Sequence, residues 1–347
     1  MVILTLILSS PRTHIVSFLE VSFEIEGKDN FSQFLNKIFR VGISILTNEA
    51  FPKTWLNVNI LAHQVFLKLF EPIAALMIRH FIPEQKFAYQ FNSALWRDGF
   101  YLLLKLLSSD QLVIEEFSPQ KRRAVWRLAG DIRGEGAGIL LRLWEALGWP
   151  ETVSAHAGAI TRYGVSMSFN FNSYFPNVIL QGYQVALNTL VGSVLDLCLS
   201  HHDQLRNNAV SILYSMIVSE YHLSQHFNEI ETELVNKLDT LFMSDSKGDD
   251  ISRAYFISNL RLLFEASSVE EQLRQRVADF LDSVDLFLEL LLNVRELPDG
   301  DEFQDDRVIA TLRLMNFIRR IGRDEIYIKY VHQLVNVRTI AALILTY

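Results

Sequence analysis

Apolar residues recur along this chain at helical spacing, with no strand-like alternation of useful length between the helical stretches. Ala209, Ile212, Leu213, Met216 and Ile217, for example, fall on one face of a helix. Glycine and proline together make up about 7% of the residues, against a usual figure near 12%. Because hairpins need these turn formers, the composition argues against a many-stranded sandwich or propeller, and the sequence predicts an all-α fold.

Stripes of the same kind predict about a dozen helices. They cover residues 31–47, 55–81, 95–107, 122–129, 139–147, 178–199, 205–217, 230–242, 254–264, 273–291, 308–321 and 326–334. Ser118 followed by Pro119 is a typical helix start, because proline fits the first helical position. Asn30 and Ser93 are further predicted starts. Pro72 should split or kink its helix, because proline removes a backbone donor.

Four segments interrupt this helical rhythm. Residues 163–176 are rich in Ser, Asn and Phe and predict a long loop, residues 244–250 predict a solvated turn, and residues 148–150 predict a helix stop. Residues 297–306 carry one Pro, one Gly and five acidic side chains, and are the best candidate for a linker or mobile excursion. Serial helices joined by short polar turns predict an armadillo/HEAT-like α-solenoid of antiparallel helices. A compact non-repeating bundle is the alternative.

Charge, cysteine content and hydropathy narrow the classes of protein that fit. The net charge of −8 gives no support to a phosphate-binding polycation. The single cysteine, Cys198, excludes an intramolecular disulfide framework and suits a reducing compartment. No run of about 18 apolar residues occurs, so no transmembrane helix is predicted. The apolar residues 1–8 have no preceding Lys or Arg, and they predict the end of a buried helix rather than a signal peptide.

Two stretches resemble chemical sites only superficially. The glycine-rich residues 130–138 lack the dinucleotide-binding spacing, because Ile139 stands where the third glycine is needed, and no Gly-Lys-Ser/Thr follows. A permissive turn between two helices is the favoured interpretation. His201, His202 and Asp203 are adjacent, so their side chains diverge on a helix, and a solvated helix end is favoured over a metal site. Cys198 lies on an apolar stripe, which favours a buried, inert thiol.

The densest positive cluster comprises residues 121–123, all Lys or Arg, together with Arg127. Basic side chains in the first turn of a helix oppose its dipole, so we expect acidic compensation, with Glu115 and Glu116 as candidates. The cluster is too small for a nucleic-acid surface in an acidic chain. Intramolecular pairing is favoured over docking of a partner.

A spaced set of residues between positions 95 and 148 is more specific than composition. Its members are Leu95, Trp96, Phe100, Leu106, Gln111, Leu112, Glu116, Phe117, Ser118, Lys121, Arg122, Gly130, Asp131, Ile132, Arg133, Leu143, Trp144, Leu147 and Gly148. Their order and spacing resemble the helical region that precedes the catalytic domain in the DOCK (dedicator of cytokinesis) family of guanine-nucleotide exchange factors. Weaker similarity continues at Leu205-Arg206 and Phe227. Residues 324–330 look like the entry into the family's catalytic DOCKER domain.

The resemblance implies an armadillo-like helical solenoid over residues 1–322 and the start of a truncated DOCKER domain over residues 323–347. It implies a scaffold segment of an exchange factor for Rho-family small GTPases of the Rac/Cdc42 class, in small GTPase signalling. The GTPase would bind later lobes of the catalytic domain, so no catalytic, cofactor-binding or metal-binding residue is assigned. No cofactor and no nucleic-acid partner is expected. The segment is predicted to be inactive alone and cytoplasmic, with membrane recruitment left to the full-length protein.

Two other classes of function stay open at this point. A free-standing helical-repeat adaptor would bind partner proteins in a solenoid groove, although the apolar residues 340–345 would make an odd terminal cap. An all-α enzyme would need a pocket holding an acid or base with a perturbed pKa, and no motif points to one.

Overall fold

The regular structure of the described residues is helical. The computed structural model describes residues 2–47, 51–52, 54–83, 87, 90–147, 190–243, 250–298, 300–320, 322, 327–328 and 330–332. No strand occurs among these described residues, and the prediction of an all-α fold is confirmed.

The α-helices of the described residues are numbered here in chain order. They are α1 (Val2–Ser9), α2 (Arg12–Thr47), α3 (Leu56–His80), α4 (Ser93–Leu107), α5 (Pro119–Ala129), α6 (Ile132–Ala146), α7 (Leu190–Cys198), α8 (Asp203–Ser224), α9 (Asn228–Met243), α10 (Asp250–Ala266), α11 (Glu271–Arg295) and α12 (Gln304–Arg320). Short 3-10 helices occupy Asp110–Leu112, Ile114–Glu116 and Asp301–Phe303.

The chain forms two compact units. The first comprises Met1–Phe227 with Ile251–Leu263, and the second comprises Asn228–Asp250 with Phe264–Tyr347. In the first unit α2 packs on α3 and α4, and α6 packs on α3, α4 and α8. Its most extensive contacts join helices at most three positions apart in chain order, as a fold of helical repeats requires.

Aromatic side chains form the centre of the first unit. Trp96 and Phe100, on α4, have ring centroids 6.3 Å apart, and Phe100 meets Trp144 of α6 edge to face at 5.8 Å. At the crossing of these helices Gly136 comes so close to Leu107 that an added Cβ would lie 2.5 Å from the Leu107 Cδ2 atom. Glycine at position 136 therefore lets α6 approach α4 closely.

In the second unit α11 packs on α9 and α12. Phe287 of α11 and Phe317 of α12 stack with ring centroids 6.2 Å apart. Residues 297–306, predicted as a linker or mobile excursion, include the 3-10 helix Asp301–Phe303 and the start of α12, and they form the turn between these two helices. The Arg307 guanidinium donates to the carbonyl oxygens of Pro298 and Gly300, which ties the turn to the start of α12.

The first helix does not have the predicted burial. Residues 2–9 are helical as expected, but α1 buries no side chain, and Val2, Ile3 and Leu6 are exposed by 72%, 72% and 61%. Its C-terminal end is held by Lys68 of α3. The Lys68 ammonium donates to the carbonyl oxygens of Ile7, Leu8 and Ser10 at 3.1, 2.7 and 2.6 Å.

The second helix begins 19 residues before the predicted stripe at residue 31. Gly27 interrupts it with φ 74° and ψ 170°, a backbone conformation that is essentially restricted to glycine. The start predicted at Asn30 is therefore wrong. The backbone break lies at Gly27, and the Asn30 side chain donates to the Glu26 carbonyl inside the helix.

The third helix runs uninterrupted through Pro72, so the predicted split is not found. Among the described residues α3 is long and apolar enough to cross a membrane, and 61% of its most apolar window is buried inside the fold, as in a core helix. Helices α1 and α2 are long and apolar enough to cross a membrane only if they are counted as one span. The angle between them at their junction is 103°.

Several predictions concern residues that lie outside the described ones. They are the helix stop at 148–150, the loop at 163–176, most of the turn at 244–250, and nearly all of the boundary region from 321 onward. The division at 322/323 stays a prediction.

Candidate functional site

Helix α5 exposes most of its surface. It begins as predicted, with Ser118 at the N-cap and Pro119 at the first position, and buries only Val125 and Ala129. The Trp126 side chain is 51% exposed. An exposed indole beside several arginines is a combination typical of protein interfaces, so this face invites a functional interpretation.

The basic cluster on α5 is not neutralised in the predicted way. Arg122 donates to the backbone carbonyls of Glu115 (2.7 Å) and Phe117 (3.4 Å), and the Lys121 ammonium lies 4.0 Å from the Phe117 ring centroid. Among the described residues, the side chains of Arg123 and Arg127 have no hydrogen bond or ion pair. Intramolecular pairing with carboxylates of Glu115 and Glu116 is therefore wrong for this cluster.

An open cleft of about 400 Å³ lies along this face, and we call it the α5 cleft. Its lining residues are Ile114, Glu115, Arg122, Arg123, Trp126 and Arg127. The arginines were recognisable from the sequence as a cluster, but Trp126 was not predicted as part of a site. Its exposure could have been predicted from its position. Val125 and Ala129 form the buried face of the helix, and Trp126, one residue after Val125, points away from that face.

The carboxylate of Glu115 is bound by Arg133 of α6. The Arg133 side chain is only 5% exposed, and that of Glu115 is 34% exposed. A buried guanidinium needs a nearby anion, because removal from water disfavours its charge. The pair therefore uses Glu115 within the fold, and it fixes the 3-10 helix Ile114–Glu116 against α6.

The glycine-rich stretch is a turn only at its beginning. Gly130 ends α5 with φ 67°, a left-handed value that confirms the predicted permissive turn. Asp131 then caps α6, accepting from the Gly134 amide at 2.9 Å. Gly134 and Gly136 lie inside α6 rather than in the turn.

His202 contacts the side chain of Asp131. Its Nε2 lies 3.0 Å from Asp131 Oδ1, and its Nδ1 accepts from the Leu205 amide, which makes it the N-cap of α8. His202 therefore stands at a helix end as predicted, but its side chain is only 16% exposed. No group of three or more His, Cys, Asp or Glu that could hold a metal occurs in the described part of the chain.

We expect His202→Ala to lower the free energy of unfolding by about 1–2 kcal/mol, because α8 loses its cap and Asp131 loses a partner. Urea unfolding followed by circular dichroism measures the change. His14→Ala, which removes an exposed histidine from α2, is the control and should cost no more than about 0.5 kcal/mol. Equal costs for the two variants would show that the His202 cap contributes nothing.

Two buried titratable groups are held in their neutral forms. Burial raises the pKa of the Cys198 thiol well above its usual value, and Asp196 adds to this shift, so the thiolate is disfavoured. This agrees with the buried, inert thiol favoured from the sequence. Burial also lowers the pKa of His63, despite a 2.7 Å hydrogen bond between its Nδ1 and the Asn59 carbonyl.

About half of the residues that carry the family resemblance are buried. Leu95, Trp96, Phe100, Leu143 and Trp144 are all at most 2% exposed. The part of the family motif that lies in α4 and α6 therefore reflects the packing of these two helices.

Comparison with known proteins agrees with this resemblance. The family model described as the dedicator of cytokinesis (DOCK) TPR region matches residues 2–155 and 158–259. Human dedicator of cytokinesis protein 3 is 24% identical over 338 residues, which is 96% of this chain and 15% of the relative. Human dedicator of cytokinesis protein 4 is 26% identical over 308 residues, 88% of this chain and 14% of the relative. No solved structure gives a significant match.

The chain thus spans about one seventh of the length of these relatives. The match to the family model covers well over half of the chain, along helices whose buried residues carry the motif. The prediction of the family from the sequence is confirmed: this chain belongs to the dedicator of cytokinesis (DOCK) family, and residues 2–155 and 158–259 correspond to its TPR region.

Proposed function

We propose that this chain is a helical scaffold segment of a DOCK-type guanine-nucleotide exchange factor for Rho-family small GTPases of the Rac/Cdc42 class, acting in the cytoplasm. The observation that carries the proposal is the match to the DOCK TPR region across packed helices. The exchange step belongs to parts of the whole protein outside this chain, which spans 15% of the human relative.

The packing of the first unit suits a scaffold. Nucleotide exchange requires groups that contact the switch segments of a GTPase and disturb its Mg²⁺ site. In this segment the motif residues of α4 and α6 instead fill a core, where close packing resists deformation. A rigid stack of helices can hold modules at either end in a fixed relation.

We expect residues 1–347 alone to leave the rate of GDP release from Rac unchanged within about twofold, because the lobes that grip the GTPase are outside the chain. Release of a fluorescent GDP analogue from purified Rac measures this rate. A full-length DOCK-family exchange factor, assayed in parallel, is the positive control.

The opposite result would be an increase in GDP release that grows with the concentration of this chain. Loss of that increase when the chain is first unfolded by heating would assign it to the folded segment. Such a result would replace the scaffold proposal with a catalytic one.

A further inference from the structure

We propose that the α5 cleft docks an acidic peptide segment of a partner protein. In this arrangement peptide carboxylates pair with Arg123 and Arg127, and an apolar peptide side chain packs on Trp126. This proposal concerns a surface of the chain itself and does not depend on the activity of the whole protein.

The geometry of α5 places these groups on one surface. Arg123 and Arg127 are four residues apart, and Trp126 follows Arg122 by four and Arg123 by three, so each of these three pairs is close together on the helix surface. Together with Ile114 they line the cleft of about 400 Å³. This volume falls in the range of sites that hold a few side chains.

The charge on this surface is available for a partner. The side chains of Arg123 and Arg127 are exposed and make no hydrogen bond or ion pair with the described residues. The nearby Glu115 carboxylate is occupied by Arg133, so its charge does not offset theirs. Arginine binds carboxylates through two parallel hydrogen bonds, which makes an acidic peptide the complementary ligand.

Trp126 supplies the apolar part of the site. Its indole is 51% exposed beside these arginines. Tryptophan and arginine are among the residue types that contribute most to binding at protein interfaces. For tryptophan the reason is that its large ring removes much apolar surface from water and loses little conformational freedom. A purely electrostatic site would not require this exposed ring.

The same features argue against a membrane or a nucleic acid as the occupant. A helix that inserts into a bilayer interface must present its apolar face, and Val125 and Ala129 of α5 are buried in the fold. A nucleic-acid surface needs basic groups that follow many phosphates, whereas this is one short cluster in a chain of net charge −8.

The test uses the full chain and a fluorescein-labelled heptapeptide, Glu-Glu-Asp-Phe-Glu-Glu-Asp, in fluorescence anisotropy. We expect saturable binding with a dissociation constant of about 10–100 μM at about 50 mM salt. Raising the salt to about 300 mM should weaken it several-fold, because the charges are exposed. Arg123→Glu/Arg127→Glu should weaken it at least about tenfold, and Trp126→Ala by about five- to tenfold.

Matched controls separate this site from general charge attraction. Lys37→Glu/Arg40→Glu makes the same charge change on an exposed part of α2 and should alter binding less than about twofold. The uncharged peptide Gln-Gln-Asn-Phe-Gln-Gln-Asn should not bind measurably. Circular dichroism of each variant shows that it is folded. Since Trp126 is exposed, its alanine variant tests the site even if the charge reversal perturbs α5.

Three outcomes would overturn the proposal. One is absence of saturable peptide binding up to about 1 mM. Another is an equal loss of binding in the α5 and α2 charge-reversal variants. The third is capture of the chain by phosphatidylserine vesicles, dependent on Arg123 and Arg127, without binding of the peptide.

Discussion

Trp96→Ala should lower the free energy of unfolding by about 3–5 kcal/mol, the largest effect that we expect from a single substitution in this chain. The Trp96 side chain is fully buried, its ring lies 6.1 Å from that of Phe91 and 6.3 Å from that of Phe100, and its indole N–H donates to the Phe81 carbonyl. Alanine would leave a cavity at the centre of the first unit and an unpaired buried carbonyl.

Urea unfolding at constant pH, followed by far-UV circular dichroism, measures this loss. Trp126→Ala is the matched control, because it removes the same side chain from an exposed position, and it should cost about 1 kcal/mol or less. Equal costs for the two variants would mean that the packing of α4 does not limit the stability of the first unit.

Glu115→Ala should lower the free energy of unfolding by about 2–3 kcal/mol, because it leaves the Arg133 guanidinium buried without a counter-charge. This expected loss of unfolding free energy is smaller than is usual when one partner of a buried ion pair is removed. The Glu115 side chain is 34% exposed, so water can partly replace the carboxylate. The same urea experiment measures it.

The double variant Glu115→Ala/Arg133→Met separates the pair from its surroundings. Methionine fills space like arginine but carries no charge, so the double variant should be more stable than Glu115→Ala alone. A double variant that loses as much as the two single variants together would show that Glu115 and Arg133 act independently.

Local patterns in the sequence predicted the helices well where packing follows helical periodicity. The stripes at 55–81 and 95–107 correspond to α3 and α4, and Ser118-Pro119 marks the start of α5. These features depend on residues within a few positions of one another. A single sequence therefore contains the information that determines them.

Features that depend on distant parts of the chain were not predictable in this way. The beginning of α6 was missed because glycines normally break helices, whereas here Gly136 is needed beside Leu107. The contact of Asp131 with His202 joins residues 71 positions apart, so no local spacing reveals it. The exposure of α1 was wrongly predicted because apolar composition does not show which neighbours cover a helix.

The backbone break at Gly27 has a consequence for reading variation among related chains. An added Cβ at this position would meet nothing within 4 Å, yet its positive φ would strain any L-amino acid that bears one. Selection can therefore retain glycine here without any contact to a ligand or neighbour. If glycine is invariant at position 27 among orthologues, the reason would be the backbone conformation at the break in α2. Such invariance would not indicate a binding surface.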